Sequence, residues 1–69
     1  MELKFKTNIN CGNCVKAVTP FMEAEWAIEE WSVDISVPEK ILTVKGENIS
    51  SGLITDILVK AGYTAEIKP

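Results

Sequence analysis

Two cysteines carry the clearest chemistry in this 69-residue chain. They stand in the segment Cys11-Gly12-Asn13-Cys14, and the sequence contains no histidine and no further cysteine. Two intervening residues let both sulfur atoms point at one ion, and Gly12 adds the backbone freedom that brings them together. Because histidine is absent, a His-based catalytic triad is impossible, and a metal site must use sulfur or oxygen ligands.

The donor set indicates which ions suit such a site. Structural Zn²⁺ normally takes four protein ligands, and the chain offers two sulfurs and no imidazole. Thiolates without nitrogen or oxygen partners favour Cu(I), which accepts ligation by two sulfurs. A metal ion with only two protein ligands also has room to bind a thiolate of another protein. Such a site suits transfer of the ion better than its storage. Zn²⁺, Cd²⁺ and Hg²⁺ remain alternatives.

Composition excludes several other functions. Ten acidic residues against seven lysines give a net charge of −3, which argues against nucleic acid as the main partner. The longest apolar run is three residues (57–59), so no membrane-spanning segment is expected, and the alternating N-terminus lacks the apolar block of a signal peptide. We therefore expect a cytoplasmic protein, in which a cysteine pair is metal-binding or redox-active rather than a structural disulfide.

The spacing of apolar residues predicts the elements that position the cysteines. A period of two predicts a β-strand over residues 2–8, with Ile9 continuing its inward phase. The period then becomes helical, which predicts a helix over residues 13–26 that is kinked at Pro20. The apolar stripe of this helix comprises Val15, Val18, Met22 and Trp26.

The remainder of the chain predicts a hairpin, a helix and a last strand. Alternation indicates strands over residues 31–37 and 41–45, joined by a polar turn. Ser50 is the expected N-cap of a second helix, and Gly62 its C-terminal cap. The buried stripe of that helix comprises Ile54, Ile57, Leu58 and Ala61. A last strand follows over residues 64–68.

The order βαββαβ predicts an α+β fold of the ferredoxin-like kind. Its four-stranded antiparallel sheet carries both helices on one face, and residues 1–69 form a single domain. The start at Met1 and the completed last strand favour a free-standing protein. We expect Trp26 and Trp31 at the core or its edge. Leu53 and Val59 lie off the buried stripe, as scattered surface residues or as a contact patch.

In this arrangement the cysteines lie at the connection between the first strand and the first helix. Cys14 falls in the first helical turn, where the helix dipole and unpaired N–H groups stabilise a thiolate. Lys16 either adds positive charge nearby or is an ordinary solvated lysine. Cys11, in the loop, is expected to be the more exposed and mobile partner.

The segment Ile9-Asn10-Cys11-Gly12-Asn13-Cys14 resembles the Met-x-Cys-x-x-Cys loop of the heavy-metal-associated domain family. That family comprises small copper chaperones, the N-terminal metal-binding domains of copper-transporting P-type ATPases, and mercury-binding relatives. The resemblance spans nearly the whole chain, and the segment from Lys60 to Ala65 is similar to the family's loop before the last strand. It implies that Cys11 and Cys14 bind the ion, that Tyr63 lies next to them, and that Gly62 enables the turn.

The sequence departs from the family pattern at a few positions. Ile9 replaces a methionine that plugs the core under the metal loop, and Asn10 replaces the usual Thr or His. Ala27 stands where glycine often closes the first helix, and Glu25 occupies a position that is commonly apolar. These departures leave the metal preference and the loop dynamics open, while the cysteine pair is retained.

The function expected from these features is non-enzymatic. The chain would bind Cu(I) and deliver it by thiolate exchange to a copper-transporting P-type ATPase or another Cys-x-x-Cys acceptor. It would act as a monomer, or as a dimer around a shared ion whose four sulfurs would also satisfy Zn²⁺. Two alternatives stay open, namely a thiol–disulfide redox protein and an interaction domain with a vestigial metal site.

Overall fold

The chain folds into four strands and two helices in the order βαββαβ. This is seen in a computed structural model, which describes residues 1–10 and 12–68. The elements are β1 (Glu2–Thr7), α1 (Gly12–Glu23), β2 (Glu30–Asp34), β3 (Ile41–Lys45), α2 (Ser51–Lys60) and β4 (Ala65–Lys68).

The strands form one antiparallel sheet in the order β2-β3-β1-β4. β1 is central and pairs with β3 on one side and β4 on the other. The predicted ferredoxin-like fold is therefore confirmed. None of the helices in the described part of the chain is long and apolar enough to cross a membrane.

A single hydrophobic core lies between the sheet and the helices. The strands contribute every second side chain, so that Phe5, Leu42 and Val44 are fully buried while Lys4, Lys6 and Lys45 on the opposite face are exposed. The helices contribute their apolar stripes, namely Val18, Met22, Ile54, Ile57 and Leu58. Leu53 and Trp31 pack against this core at its edge, whereas Val59 is exposed.

The ends of α2 are closed by the residues that the sequence indicates. The Ser50 side chain accepts a hydrogen bond from the N–H of Leu53 at 3.2 Å. At the other end, Gly62 N–H donates to Val59 O and Tyr63 N–H to Leu58 O, at 3.0 and 2.8 Å. This pair of bonds is a Schellman motif, which requires a left-handed residue, and Gly62 supplies it with a φ of 92°.

The first helix ends three residues before its predicted end, and the expectation for Trp26 was wrong. Pro20 is accommodated inside α1, but after Glu23 the chain tightens into a turn in which Glu25 N–H donates to Met22 O. The carboxylate of Glu25 then accepts the N–H of Ala27 at 3.2 Å. As a result Ala27 enters the core, and Trp26 is 83% exposed.

The second strand also ends early. β2 stops at Asp34, whereas alternation predicted a strand to residue 37. The Asp34 carboxylate accepts hydrogen bonds from both the N–H and the hydroxyl of Ser36, which turns the chain and satisfies the backbone locally. The same bonds lower the pKa of Asp34 below its usual value.

Candidate metal centre

Cys14 lies in the first turn of α1, where the sequence predicted it. It is half-buried and packs against the hydrophobic core, while its neighbours Gly12 and Asn13 are exposed. The first turn contains no acidic residue. The positive end of a helix dipole without a carboxylate in the same turn is a setting that generally stabilises a thiolate.

The second predicted ligand, Cys11, lies outside the described residues. Within residues 1–10 and 12–68, no three Cys, Asp or Glu side chains are grouped so that they could hold an ion. The pairing of Cys11 with Cys14 therefore stays a prediction from their spacing.

Ile9, two residues before the cysteine segment, is a buried core residue. Its side chain is 0% exposed and belongs to the core cluster, together with Phe5 of β1. The chain thus enters the cysteine segment from a buried anchor at Ile9 and leaves it through Cys14, which packs on the same core. Only residues 10–13 separate Ile9 from Cys14 along the chain.

Thr7 and Asn8 tie the exit of β1 to both neighbouring loops. The Thr7 hydroxyl donates to Lys40 O at 2.6 Å and accepts the N–H of Ile9 at 3.2 Å. The Asn8 carboxamide oxygen accepts the N–H of Thr64 at 2.9 Å. The segment from Thr7 to Ile9, which precedes the cysteines, is therefore held against the β2–β3 turn on one side and the α2–β4 loop on the other.

The other predicted site residues are Tyr63, Lys16 and Gly12. Tyr63 is half-buried and packs against the core directly before Thr64, the partner of Asn8. Lys16 is exposed and two residues beyond Cys14, so the two side chains leave the helix on nearly opposite sides. A Cβ on Gly12 would meet no atom within 4 Å, so nothing near Gly12 excludes a larger residue.

An ion-pair cluster lies at the end of the sheet, on the turn that Thr7 contacts. Glu39 lies 2.7 Å from the amine of Lys68 and 3.7 Å from that of Lys6. The hydrogen bond from Lys68 is the main cause that lowers the pKa of Glu39 below its usual value. The backbone of the same residue accepts the N–H of Thr7 at 3.1 Å.

Sequence reasoning did not single out Thr7 or Asn8. Each forms hydrogen bonds with a residue more than 30 positions away, at separations of 33 and 56. Short polar side chains at the end of a strand and directly before a loop were the available signal, because such residues often bond to nearby backbone.

No family model matches the sequence, and no curated protein matches it either. Solved structures do match its fold. A copper binding domain from HMA7, a P-type ATPase, is 17% identical, with a TM-score of 0.83 over 99% of this chain and 93% of that one. The copper(I)-loaded first domain of the human copper chaperone for SOD1, CCS, is 21% identical, with a TM-score of 0.80 over 97% and 90%.

A third structure extends the range of metals. The N-terminal domain of ZntA in its Zn(II) form is 19% identical, with a TM-score of 0.80 over 97% of this chain and 90% of that one. The chain therefore has the fold of heavy-metal-associated domains, and the resemblance drawn from its sequence is confirmed at the level of the fold.

Proposed function

We propose that this protein binds a soft metal ion, Cu(I) in the first place, through Cys11 and Cys14 and passes it to another protein. The observation that carries the proposal is the position of Cys14. It is half-buried in the first turn of α1, on a fold shared with domains that bind copper and zinc. The second sulfur is that of Cys11, which we infer from the spacing of the two cysteines in the sequence.

The proposed transfer needs no covalent catalysis, so we propose a carrier rather than an enzyme. A first thiolate of the partner binds the ion beside the two cysteines, a three-coordinate state forms, and one cysteine of this chain leaves. A second thiolate of the partner then binds in the same way, and the other cysteine leaves. The direction of the transfer follows from a difference in affinity, and docking of the two surfaces sets the rate. The proposed acceptor is a copper-transporting P-type ATPase or another Cys-x-x-Cys protein in the cytoplasm.

A competition titration tests the proposal. Reduced protein should take up one Cu(I) per chain against a chelator, and Cys11→Ser and Cys14→Ser should each abolish this tight uptake. Asn13→Ser is the matched control, because it introduces the same residue between the cysteines and removes no sulfur. No uptake by the wild type would favour an interaction domain, and uptake that survives both cysteine changes would mean that Cu(I) binds elsewhere in the chain. Reduction of insulin disulfides without metal would favour a redox protein.

The choice of ion and the oligomeric state need separate measurements. X-ray absorption on samples offered both Cu(I) and Zn²⁺ should show Cu(I) bound by sulfur alone. Sedimentation with each ion should show a monomer with Cu(I). A dimer that forms only with metal would indicate that two chains share an ion through four sulfurs.

A further inference from the structure

The side-chain hydrogen bonds of Thr7 and Asn8 follow the pairing of β1 at its last residue and one residue beyond it. In the register between β1 and β3, Lys6 faces Ile41, so the next pair is Thr7 with Lys40. In the register between β1 and β4, Thr7 faces Ala65, so the next pair is Asn8 with Thr64. These are the pairs joined by the side-chain bonds. On the β4 side the Asn8 side chain thus takes the place of the backbone for one step beyond β1. On the β3 side the Thr7 hydroxyl adds a bond to Lys40 O beside the backbone bond from Thr7 N–H to Glu39 O.

This replacement frees the main chain at the point where it must leave the sheet. Had β1 continued as a strand, the backbone of Asn8 would be committed to β4 and could not turn towards α1. With the carboxamide making that bond, the backbone turns into the core at Ile9, whose N–H is satisfied by the Thr7 hydroxyl. The loop is therefore free to turn while its base stays attached to both neighbouring loops.

The two side chains differ in what else they do. Thr7 is half-buried and its hydroxyl serves two bonds, so a change there affects folding as well as the loop. Asn8 is exposed and is not among the residues that build or flank the core. The contribution that the structure shows for the Asn8 side chain is its bond to Thr64. A change at Asn8 therefore tests the attachment of the loop with less effect on folding than a change at Thr7.

We propose that Asn8 is a positioning residue, which holds the base of the metal loop against the α2–β4 loop and so preorganises the cysteines for the ion. This inference rests on the proposed function, because its consequence is measured as metal affinity. Losing the bond lets the loop sample arrangements in which the sulfurs are too far apart. The ion must then select the competent arrangement, which lowers its apparent affinity.

Three variants separate this role from a purely structural one. Asn8→Ala removes the acceptor. Asn8→Asp restores an acceptor oxygen at the same reach, and about 0.5 M salt screens its added charge. Asn48→Ala makes the same chemical change at an exposed position in the link between β3 and α2. Cu(I) affinity is measured by chelator competition, amide hydrogen exchange at Thr64 by NMR, and metal-free stability by urea unfolding.

For Asn8→Ala we expect Thr64 N–H exchange to rise and Cu(I) affinity to fall, each by about 2- to 10-fold, which is the range of one net hydrogen bond. Affinity is measured where every variant is fully folded, so a loss of stability alone does not move it. Asn8→Asp should recover both values, and Asn48→Ala should match the wild type.

The proposal is overturned if Asn8→Ala speeds exchange at Thr64 but binds Cu(I) as the wild type does, because the bond would then serve the fold alone. Equal losses of affinity in Asn8→Ala and Asn48→Ala would overturn it as well. If the wild type takes up no Cu(I), the proposed function fails, and the positioning role fails with it. A wild type that binds and an Asn8→Ala variant with unchanged affinity reject the positioning role only.

Discussion

Replacing Ile9 by alanine should damage both the fold and metal binding. The Ile9 side chain is 0% exposed, so truncation leaves a cavity in the core and removes apolar contacts. Such truncations of isoleucine cost about 2 to 5 kcal/mol. Because Ile9 directly precedes the loop, the cavity opens beneath the cysteine segment and loosens one of its two anchors. We therefore expect a loss of Cu(I) affinity in addition to the loss of stability.

Ile54→Ala provides the matched control. Ile54 is also 0% exposed and belongs to the same core, but it lies in the first half of α2, far along the chain from the cysteines. Urea unfolding of the metal-free proteins should show similar losses for both variants. Chelator competition, under conditions where both are folded, should show weaker Cu(I) binding for Ile9→Ala alone. Should Ile9→Ala not fold, Ile9→Val costs about 0.5 to 1.5 kcal/mol and allows the same comparison.

Two results would refute this reasoning. Equal losses of Cu(I) affinity in the Ile9 and Ile54 variants would mean that general loosening of the core, rather than the anchor, controls the site. Unchanged stability in Ile9→Ala would mean that the core closes over the missing side chain. Ile9→Met, which approximately conserves volume, should remain within about 1.5 kcal/mol of the wild type and retain its affinity.

Three further predictions concern the rest of the molecule. Gly46→Ala should destabilise by about 1 to 3 kcal/mol in urea unfolding, because its Cβ would collide with Ala27 O and lie 2.9 Å from Ile49 Cγ2. Gly52→Ala, whose Cβ meets nothing, should be neutral or stabilising, and the reverse order would contradict the packing argument. Gly62→Ala should cost about 1 to 2 kcal/mol through its φ of 92° alone, with circular dichroism showing an intact fold. Because the pKa of Glu39 is lowered in the folded state, its stabilising effect is present above its usual value of 4.5 and is lost as pH falls below it. In the Glu39→Gln variant the urea midpoint of unfolding should therefore decrease less as the pH is lowered than it does in the wild type. An unchanged dependence of the midpoint on pH would count against the ion pair.

The parts of the fold that sequence predicted are those set by local pattern. The alternation that leads to Ile9, the helical stripe through Met22 and the cap at Ser50 each depend on residues within a few positions. Such patterns predict the elements correctly because each element must bury its apolar side chains, whichever other elements pack against it. The cysteine pair is likewise inferred from spacing alone, and its role as a metal site stays a prediction.

The parts that sequence did not predict depend on where the chain turns or on distant partners. Trp26 continued the apolar stripe of α1, but the helix ends at Glu23, and the bond that Ala27 N–H donates to the Glu25 carboxylate belongs to the turn that follows. Asp34 and Ser36 are typical turn residues, but the apolar alternation from Trp31 to Val37 predicted a strand through them. The roles of Thr7 and Asn8 depend on the register of three strands, which one sequence does not reveal.

The bond between Asn8 and Thr64 also has a consequence for the order of folding. It joins positions that lie 56 residues apart, so it closes only after α2 has formed and β4 has docked beside β1. The cysteines are synthesised long before β4, yet the Asn8–Thr64 bond beside their loop forms only once β4 is in place. On the proposed function, a chain that is still being synthesised would lack the Asn8–Thr64 bond, and tight metal binding would come only with the last strand.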